Sequence, residues 1–139
     1  MTDERFGIGE RVETSSTMPA EFYRSRELFD ELIERVLAPS WQWIGCEGDV
    51  DAPETVRPFE LLPGSLDEPL LLARDAEGVL RCLSNVCTHR GNLMRTKAGP
   101  CRKLLCRYHG RRFGLDGSME HAPEFEGARN FPSALDDLP

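Results

Sequence analysis

Length, composition and charge describe a small acidic globular protein. The 139 residues suffice for one domain with a buried core, 40% of them are hydrophobic, and the formal net charge is −7. No stretch approaches 18 consecutive apolar residues, and residues 1–17 contain no apolar segment, so the sequence predicts neither a membrane span nor a signal peptide.

The first predicted element is a helix over residues 26–38. Apolar residues recur there in pairs every four residues, which places them on one face of a helix. Ser25 supplies a cap at the start, and Pro39 follows the end. Residues 1–17, before this helix, are polar and charged, and we predict a flexible tail there, followed by a single domain over residues 18–139.

Short strands are predicted after the helix. Trp41 and Trp43 flank a polar residue, and this alternation indicates a strand with both indoles on one face. The remaining predicted strands cover residues 70–74, 79–84, 103–105 and 112–115, the first two joined by a hairpin turn. Four prolines between positions 53 and 69 favour loops or edge strands over a central strand in that part. The whole pattern indicates an all-β fold with one N-terminal helix.

Cysteine and histidine recur at short spacing in two segments of the chain. The first segment carries Cys87 and His89, and the second, after sixteen intervening residues, carries Cys106 and His109. A glycine follows each histidine closely, as a backbone that folds tightly around an inorganic group requires. Two thiolates and two imidazoles suit either tetrahedral zinc or a [2Fe–2S] cluster that has both sulfurs on one iron and both nitrogens on the other.

The spacing favours the iron–sulfur cluster over zinc. Structural zinc sites usually take a close pair of ligands from one turn. Here each segment supplies one cysteine and one histidine, a pattern that lets one iron collect both sulfurs and the other both imidazoles. A zinc-stabilised Cys₂His₂ interaction module without redox activity remains the alternative.

The two segments, C-x-H-R-G and C-x-Y-H-G-x-x-F, resemble the Rieske [2Fe–2S] signature. The resemblance is strongest to the N-terminal domain of ring-hydroxylating oxygenase α subunits and extends over roughly residues 19–135. It implies small antiparallel sheets, a two-loop cluster-binding part at about residues 84–115, and one [2Fe–2S] cluster. It also implies the four ligands, with one iron bound by Cys87 and Cys106 and the other by His89 and His109.

Departures from the family pattern indicate the type of cluster. High-potential Rieske proteins have a disulfide and two hydroxyl donors near the sulfurs, but here Asn92 and Tyr108 stand at the disulfide positions and Arg111 and Phe113 at the hydroxyl positions. Fewer donors stabilise the reduced cluster less, which predicts the low end of the roughly −150 to +300 mV Rieske range. Oxygenase α subunits usually have Pro and Trp where this chain has Arg107 and Arg111, so the surface around the cluster should differ.

Charge is distributed unevenly along the chain. Residues 81–112 contain nine Lys and Arg and no Asp or Glu, whereas the other residues carry eight basic and twenty-four acidic groups. A docking patch for an acidic electron donor is one interpretation, since complementary fields accelerate encounters. A solvated basic face is the other. The acidic majority and the lack of an aromatic stacking platform argue against nucleic acid.

Three cysteines lie outside the motif, at Cys46, Cys82 and Cys101. We predict that each is a buried thiol without a redox role. An odd number of cysteines without the spacing of a secreted scaffold indicates a reducing compartment, and we therefore predict a cytoplasmic location.

The histidine count limits what these residues can catalyse. With His89 and His109 as cluster ligands only His121 remains, so a 2-His-1-carboxylate iron site cannot be assembled from them, and we predict that His121 is a surface residue. The resemblance therefore implies an oxidoreductase component, the electron-delivering domain of a ring-hydroxylating dioxygenase system. Its donor would be an acidic ferredoxin or a reductase. Its acceptor would be a mononuclear-iron oxygenase domain, which would also carry substrate specificity and the contacts of a homo-oligomer.

Overall fold

The computed structural model describes residues 11–139, which divide into two compact units, one ending at Trp43 and the other spanning Ile44–Pro139. Most of the predicted flexible tail lies outside the described residues. Its described part contains a short 3₁₀ turn at Val12–Thr14. The predicted boundaries, a tail over 1–17 and one domain over 18–139, stay predictions. Within residues 11–139 no helix combines the length and apolar character that crossing a membrane requires.

The first unit contains the predicted helix. Helix α1 spans Arg26–Leu32 and continues without a break into a π-helical turn at Ile33–Leu37. The hydroxyl of Ser25 accepts a hydrogen bond from the backbone N–H of Leu28 at 3.2 Å, which confirms the predicted cap. Ile33 is buried, whereas Val36 on the apolar stripe remains exposed.

The predicted strand at the two tryptophans is wrong. Residues 41–46 form no strand, and the side chains of Trp41 and Trp43 are both exposed. Alternation produces a strand only where a neighbouring strand supplies hydrogen bonds and a packed layer covers one face. Neither condition is met at this segment.

The larger sheet of the second unit has four antiparallel strands. They are β1 (Thr55–Leu61), β2 (Glu68–Arg74), β3 (Leu80–Ser84) and β4 (Gly99–Pro100), in the spatial order β3-β2-β1-β4. Strands β2 and β3 form the predicted hairpin, and the Asp75 carboxylate in its turn accepts the backbone N–H of Val79 at 2.7 Å. The side chains of Leu71 and Ala73 are fully buried, so β2 is the centre of this sheet.

The proline-rich part is more regular than predicted. Pro58 lies inside the seven-residue strand β1, which pairs with β2 along its whole length. Strand β4 pairs only with Thr55 and Val56 on the other side of β1. Pro58 therefore sits on the part of β1 that has no second neighbour, where a missing N–H breaks no ladder.

The smaller sheet carries the second half of the motif. Its strands are β5 (Leu104–Leu105), β6 (Arg112–Phe113) and β7 (Met119–His121), in the order β5-β6-β7. Leu104 and Phe113 are fully buried in a core that residues from both sheets share. Together the two sheets and the single N-terminal helix confirm the predicted all-β class.

The last residues of the chain are irregular but firmly held. We call residues 136–139 the C-terminal strap. Within it the N–H of Leu138 donates to the carbonyl of Gly117 at 2.8 Å, and the carbonyl of Pro139 accepts the N–H of Ser84 at 2.7 Å. The Leu138 side chain is 5% exposed and belongs to the core. The strap therefore links both sheets.

Candidate metal centre

Two loops of equal length carry the predicted ligands, ligand loop 1 (residues 87–92) and ligand loop 2 (residues 106–111). In each loop the backbone N–H of the first residue donates to the carbonyl of the sixth, at 2.9 Å in both. The N–H of the fifth residue donates back to the first carbonyl, at 3.1 Å in loop 1 and 3.0 Å in loop 2. The residues that flank each loop form an antiparallel β-bridge, Val86 with Leu93 for loop 1 and Leu105 with Arg112 for loop 2. The loops are thus two copies of one backbone arrangement.

Glycine is required at the fifth position of each loop. Gly91 and Gly110 have φ values of 67° and 77°, in the left-handed region that other residues avoid. At Gly110 a Cβ atom would also lie 3.0 Å from the Cγ of Pro123. The histidine occupies the third position in loop 1 and the fourth in loop 2, so the shared frame presents the two imidazoles from different points.

The structure brings the predicted ligands together in like pairs. Cys87 and Cys106 are each only 2% exposed, and their thiols are close enough to influence each other's pKa. The rings of His89 and His109 lie with centroids 4.8 Å apart at an angle of 60°. His89 is half-buried and His109 is exposed, so the imidazole pair reaches the surface while the thiols stay inside.

Pairing of like ligands fits a two-iron cluster better than one zinc ion. Tetrahedral structural zinc needs its ligands gathered around a single point. Among the residues that the structure describes, no three or more Cys, His, Asp or Glu side chains are gathered in that way. A [2Fe–2S] cluster of the Rieske type takes two sulfurs at one iron and two imidazoles at the other, and the pairing of like side chains is compatible with that requirement. The structure gives the zinc alternative no support.

The surroundings of the two thiols shift their pKa values in opposite directions. Burial opposes ionisation of Cys106, but the backbone N–H groups of Tyr108 and His109, the Cys87 side chain and the Asn92 amide together lower the pKa of its thiol. Burial and the neighbouring Cys106 raise the pKa of Cys87. The hydrogen-bond donors around Cys106 therefore favour its thiolate, the form of cysteine that binds a metal.

The surroundings of His89 lower the pKa of its imidazole and so favour the neutral form. Burial lowers its pKa, and the positive charge of Arg111, the neighbouring His109 and the charge of Arg90 lower it further. A neutral imidazole keeps a free nitrogen lone pair at physiological pH, which is the form that binds metal.

Asn85 ties the chain before ligand loop 1 to the chain after it, a role that the sequence does not indicate. Its side chain is almost fully buried, donates to the carbonyl of Arg95 at 2.7 Å and accepts the N–H of the same residue at 2.9 Å. Its backbone carbonyl accepts the N–H of Met94 at 3.0 Å. A buried asparagine two residues before the first ligand was the only signal available, and burial cannot be read from the sequence.

Arg111 is the second residue whose role the sequence did not indicate. Its side chain is 6% exposed, and its Nε–H has no hydrogen-bond acceptor among the described residues. A buried donor without an acceptor is costly in a folded protein. Beside the two thiols, such a donor fits a site made for an electron-rich group.

The other sulfur and imidazole groups stand apart from the site. His121 is exposed on β7, which confirms that it is a surface residue. Cys101 is buried as predicted, with its Sγ 3.3 Å from the carbonyl of Lys103. The prediction that Cys46 and Cys82 are buried is wrong, because both are exposed.

Comparison with known proteins agrees with this geometry. The family model for the Rieske [2Fe-2S] domain matches residues 40–132. The carnitine monooxygenase oxygenase subunit of Escherichia coli K12 is 32% identical over 118 residues, covering 84% of this chain and 30% of that protein. The chloroplastic choline monooxygenase of Amaranthus tricolor is 31% identical over 125 residues, 89% of this chain and 27% of that protein.

Solved structures show the same fold. The quaternary ammonium Rieske monooxygenase CntA in complex with gamma-butyrobetaine aligns with a TM-score of 0.78 at 27% identity, over 88% of this chain and 34% of that one. Naphthalene 1,2-dioxygenase aligns with a TM-score of 0.72 at 22% identity, over 87% of this chain and 27% of that one. The chain spans 27% to 34% of the length of these relatives. The antiparallel Rieske fold predicted from the motif is confirmed.

Proposed function

The chain belongs to the Rieske [2Fe-2S] domain family, and from that premise we propose that it is the electron-delivering domain of a Rieske oxygenase system. The family implies one [2Fe–2S] cluster, which supplies one-electron redox chemistry when bound. We assign Cys87 and Cys106 to one iron and His89 and His109 to the other. The observation that carries the proposal is the pairing of buried thiol with thiol and of imidazole with imidazole.

The arrangement of the ligands supports an exit for electrons on the imidazole side. The thiols are shielded from water, whereas the ring of His109 is exposed and lies against the ring of Tyr108, with centroids 3.8 Å apart. An acceptor that contacts the imidazole edge comes closer to the cluster than one that approaches the thiol side. We propose that this acceptor is a mononuclear-iron oxygenase domain.

Metal analysis of the purified 139-residue chain tests the proposed function. We expect about two iron and two labile sulfide per chain, and a brown colour that bleaches on addition of dithionite. Colourless protein containing about one zinc per chain would contradict the proposal and restore the zinc module.

A basic groove beside the ligand loops supports an acidic electron donor. The groove has a volume of about 630 Å³, and we define it by Leu93, Arg95, Lys97, Lys103, Leu105 and Arg107. Leu93 and Leu105 are 45% and 48% exposed, so the groove has an apolar centre surrounded by cationic side chains. Among the described residues no carboxylate pairs with Lys97 or Arg107. We propose that an acidic ferredoxin or reductase docks here, since transient redox partners use such surfaces.

Charge reversal tests the docking surface. Lys97→Glu and Arg107→Glu together should slow reduction of the protein by a reduced acidic [2Fe–2S] ferredoxin roughly tenfold or more at low ionic strength, because attraction becomes repulsion. Stopped-flow absorbance at several salt concentrations measures this, and the difference should shrink as salt screens the charges.

The control for that experiment is Arg112→Glu, compared with Arg107→Glu alone, because each of these single reversals changes the net charge by the same two units. Arg112 is exposed on β6 but does not line the groove. Equal slowing by this control would show that net charge, rather than the groove, governs the encounter, and the docking site would then be wrong.

The activity of any larger protein containing this domain rests on its relatives. The relatives at 31% and 32% identity are named as choline and carnitine monooxygenases. We therefore propose an oxygenase that acts on quaternary ammonium compounds, in preference to one that acts on aromatic rings. A homo-oligomer assembled through the oxygenase domain is part of the same proposal. A cytoplasmic location is also proposed, and it is supported by the three cysteines outside the motif, Cys46, Cys82 and Cys101, which form no disulfide.

A further inference from the structure

Arg111 is the sixth residue of ligand loop 2 and has an unusual environment for its type. Among residues 11–139 it is the only buried residue with a charged side chain. Arginine is almost never buried unless other groups compensate its charge. The position therefore requires a physical reason beyond solubility or surface charge.

The contacts of Arg111 join three parts of the site. Its Nη1 lies 3.3 Å from the Oγ1 of Thr88 in ligand loop 1 and 3.6 Å from the Oδ1 of Asp136 in the C-terminal strap. The Thr88 hydroxyl itself donates to the backbone carbonyl of Asp136 at 2.7 Å. One side chain on loop 2 is thereby tied to loop 1 directly and through the strap.

Two aromatic rings enclose the guanidinium. Its Cζ lies 5.5 Å from the ring centroid of Phe125 and 5.3 Å from that of Phe131. The two rings pack on each other with centroids 4.5 Å apart. Aromatic faces attract a cation while excluding water, so the charge is held in a region of low dielectric.

The charge is only partly neutralised and acts on both kinds of ligand. Asp136 is its one ion-pair partner among the described residues, at a distance longer than that of a close hydrogen-bonded pair. Through its contact with Thr88, the residue between Cys87 and His89, the guanidinium lies close to one ligand of each kind.

We propose that Arg111 is a positioning residue that locks the two ligand loops together and keeps a fixed positive charge beside the cluster, favouring its reduced state. This inference rests on the proposed function. Reduction adds one electron, and a buried cation that cannot lose its proton stabilises the added negative charge. Arg111 therefore opposes the low potential that the missing hydroxyl donors predict.

Redox titration of the loaded protein against dithionite tests this role. Arg111→Gln removes the charge and keeps a polar amide, and we expect the ratio of reduced to oxidised protein at a fixed potential to fall about tenfold, or about 59 mV. Arg111→Lys keeps the charge and should stay within about threefold of the wild type. Arg112→Gln makes the same change at the exposed neighbouring residue and should have little effect.

Removing the carboxylate of Asp136, which pairs with Arg111, should shift the ratio of reduced to oxidised protein in the opposite direction. Asp136→Asn leaves the guanidinium charge without its counter-ion, so the same ratio should rise, by about threefold. A full cluster in Arg111→Gln with no larger shift than in Arg112→Gln would overturn the inference. If Arg111→Gln retains no cluster, the absence of a rise in Asp136→Asn would overturn it instead. Wild-type protein without iron and sulfide would overturn the proposed function as well.

Discussion

His109→Ala is expected to yield protein that contains no iron and no labile sulfide. The imidazole is one of only two nitrogen donors in the proposed site, and its ring lies 4.8 Å from that of the other donor, His89. Alanine leaves one iron with a single protein ligand. Since metal binding is coupled to the order of the ligand loops, those loops should also become sensitive to protease. Iron and sulfide assays, visible absorption and limited proteolysis measure these outcomes.

Matched substitutions separate loss of a ligand from general damage. His121→Ala removes an exposed imidazole on β7 and should leave the cluster content unchanged. Cys106→Ser should abolish binding, because a hydroxyl is a harder and far less acidic ligand than a thiol. Cys82→Ser, at an exposed thiol, should not. Full iron and sulfide in His109→Ala or Cys106→Ser would refute the ligand assignment.

Leu138→Ala is expected to lower the free energy of unfolding by about 2 to 5 kcal/mol. The side chain is 5% exposed and packs in the core, and its backbone N–H holds the carbonyl of Gly117 at 2.8 Å. Truncation leaves a cavity where the C-terminal strap meets the two sheets. Urea unfolding of the loaded protein, followed by far-UV circular dichroism, gives the change.

Leu135→Ala is the control for that measurement. The Leu135 side chain, three residues earlier, is 92% exposed. The same substitution there should change the free energy of unfolding by less than about 0.5 kcal/mol. Equal effects at the two positions would mean that the strap is not part of the core.

Local signals in the sequence were sufficient for the hairpin, the helix and the family. The hairpin has a glycine turn, the helix has a serine cap, and the two Cys–His segments have a spacing that few chemistries share. Each of these features depends on residues close together in the chain, so propensity and spacing identify them. The helix still ended in a π-helical turn at Ile33–Leu37 that no pattern indicated.

Features that depend on distant contacts were missed or wrong. The alternation at Trp41 and Trp43 predicted a strand, but no neighbouring strand is present to complete it. The family pattern marks Arg111 only as a difference in the surface around the cluster, whereas its contacts with Thr88 and Asp136, far away in sequence, lie in a buried site. The C-terminal strap has no periodicity, so only the folded core shows why Leu138 matters.

Because the two ligand loops are closed in the same way, the chain entropy lost in forming the site is lost mainly within the loops. Each loop is a short ring closed by its own hydrogen bonds. These bonds offset, within the loop itself, the conformational entropy that its backbone loses on folding. The chain between the rings contributes to that cost only through the logarithm of its length, about 0.6 kcal/mol for each doubling. Residues 96–98 in this connection are exposed, and extra residues there would leave both rings intact. The number of residues between the two half-motifs can therefore change without altering either ligand loop, whereas a single insertion within either loop would displace a ligand.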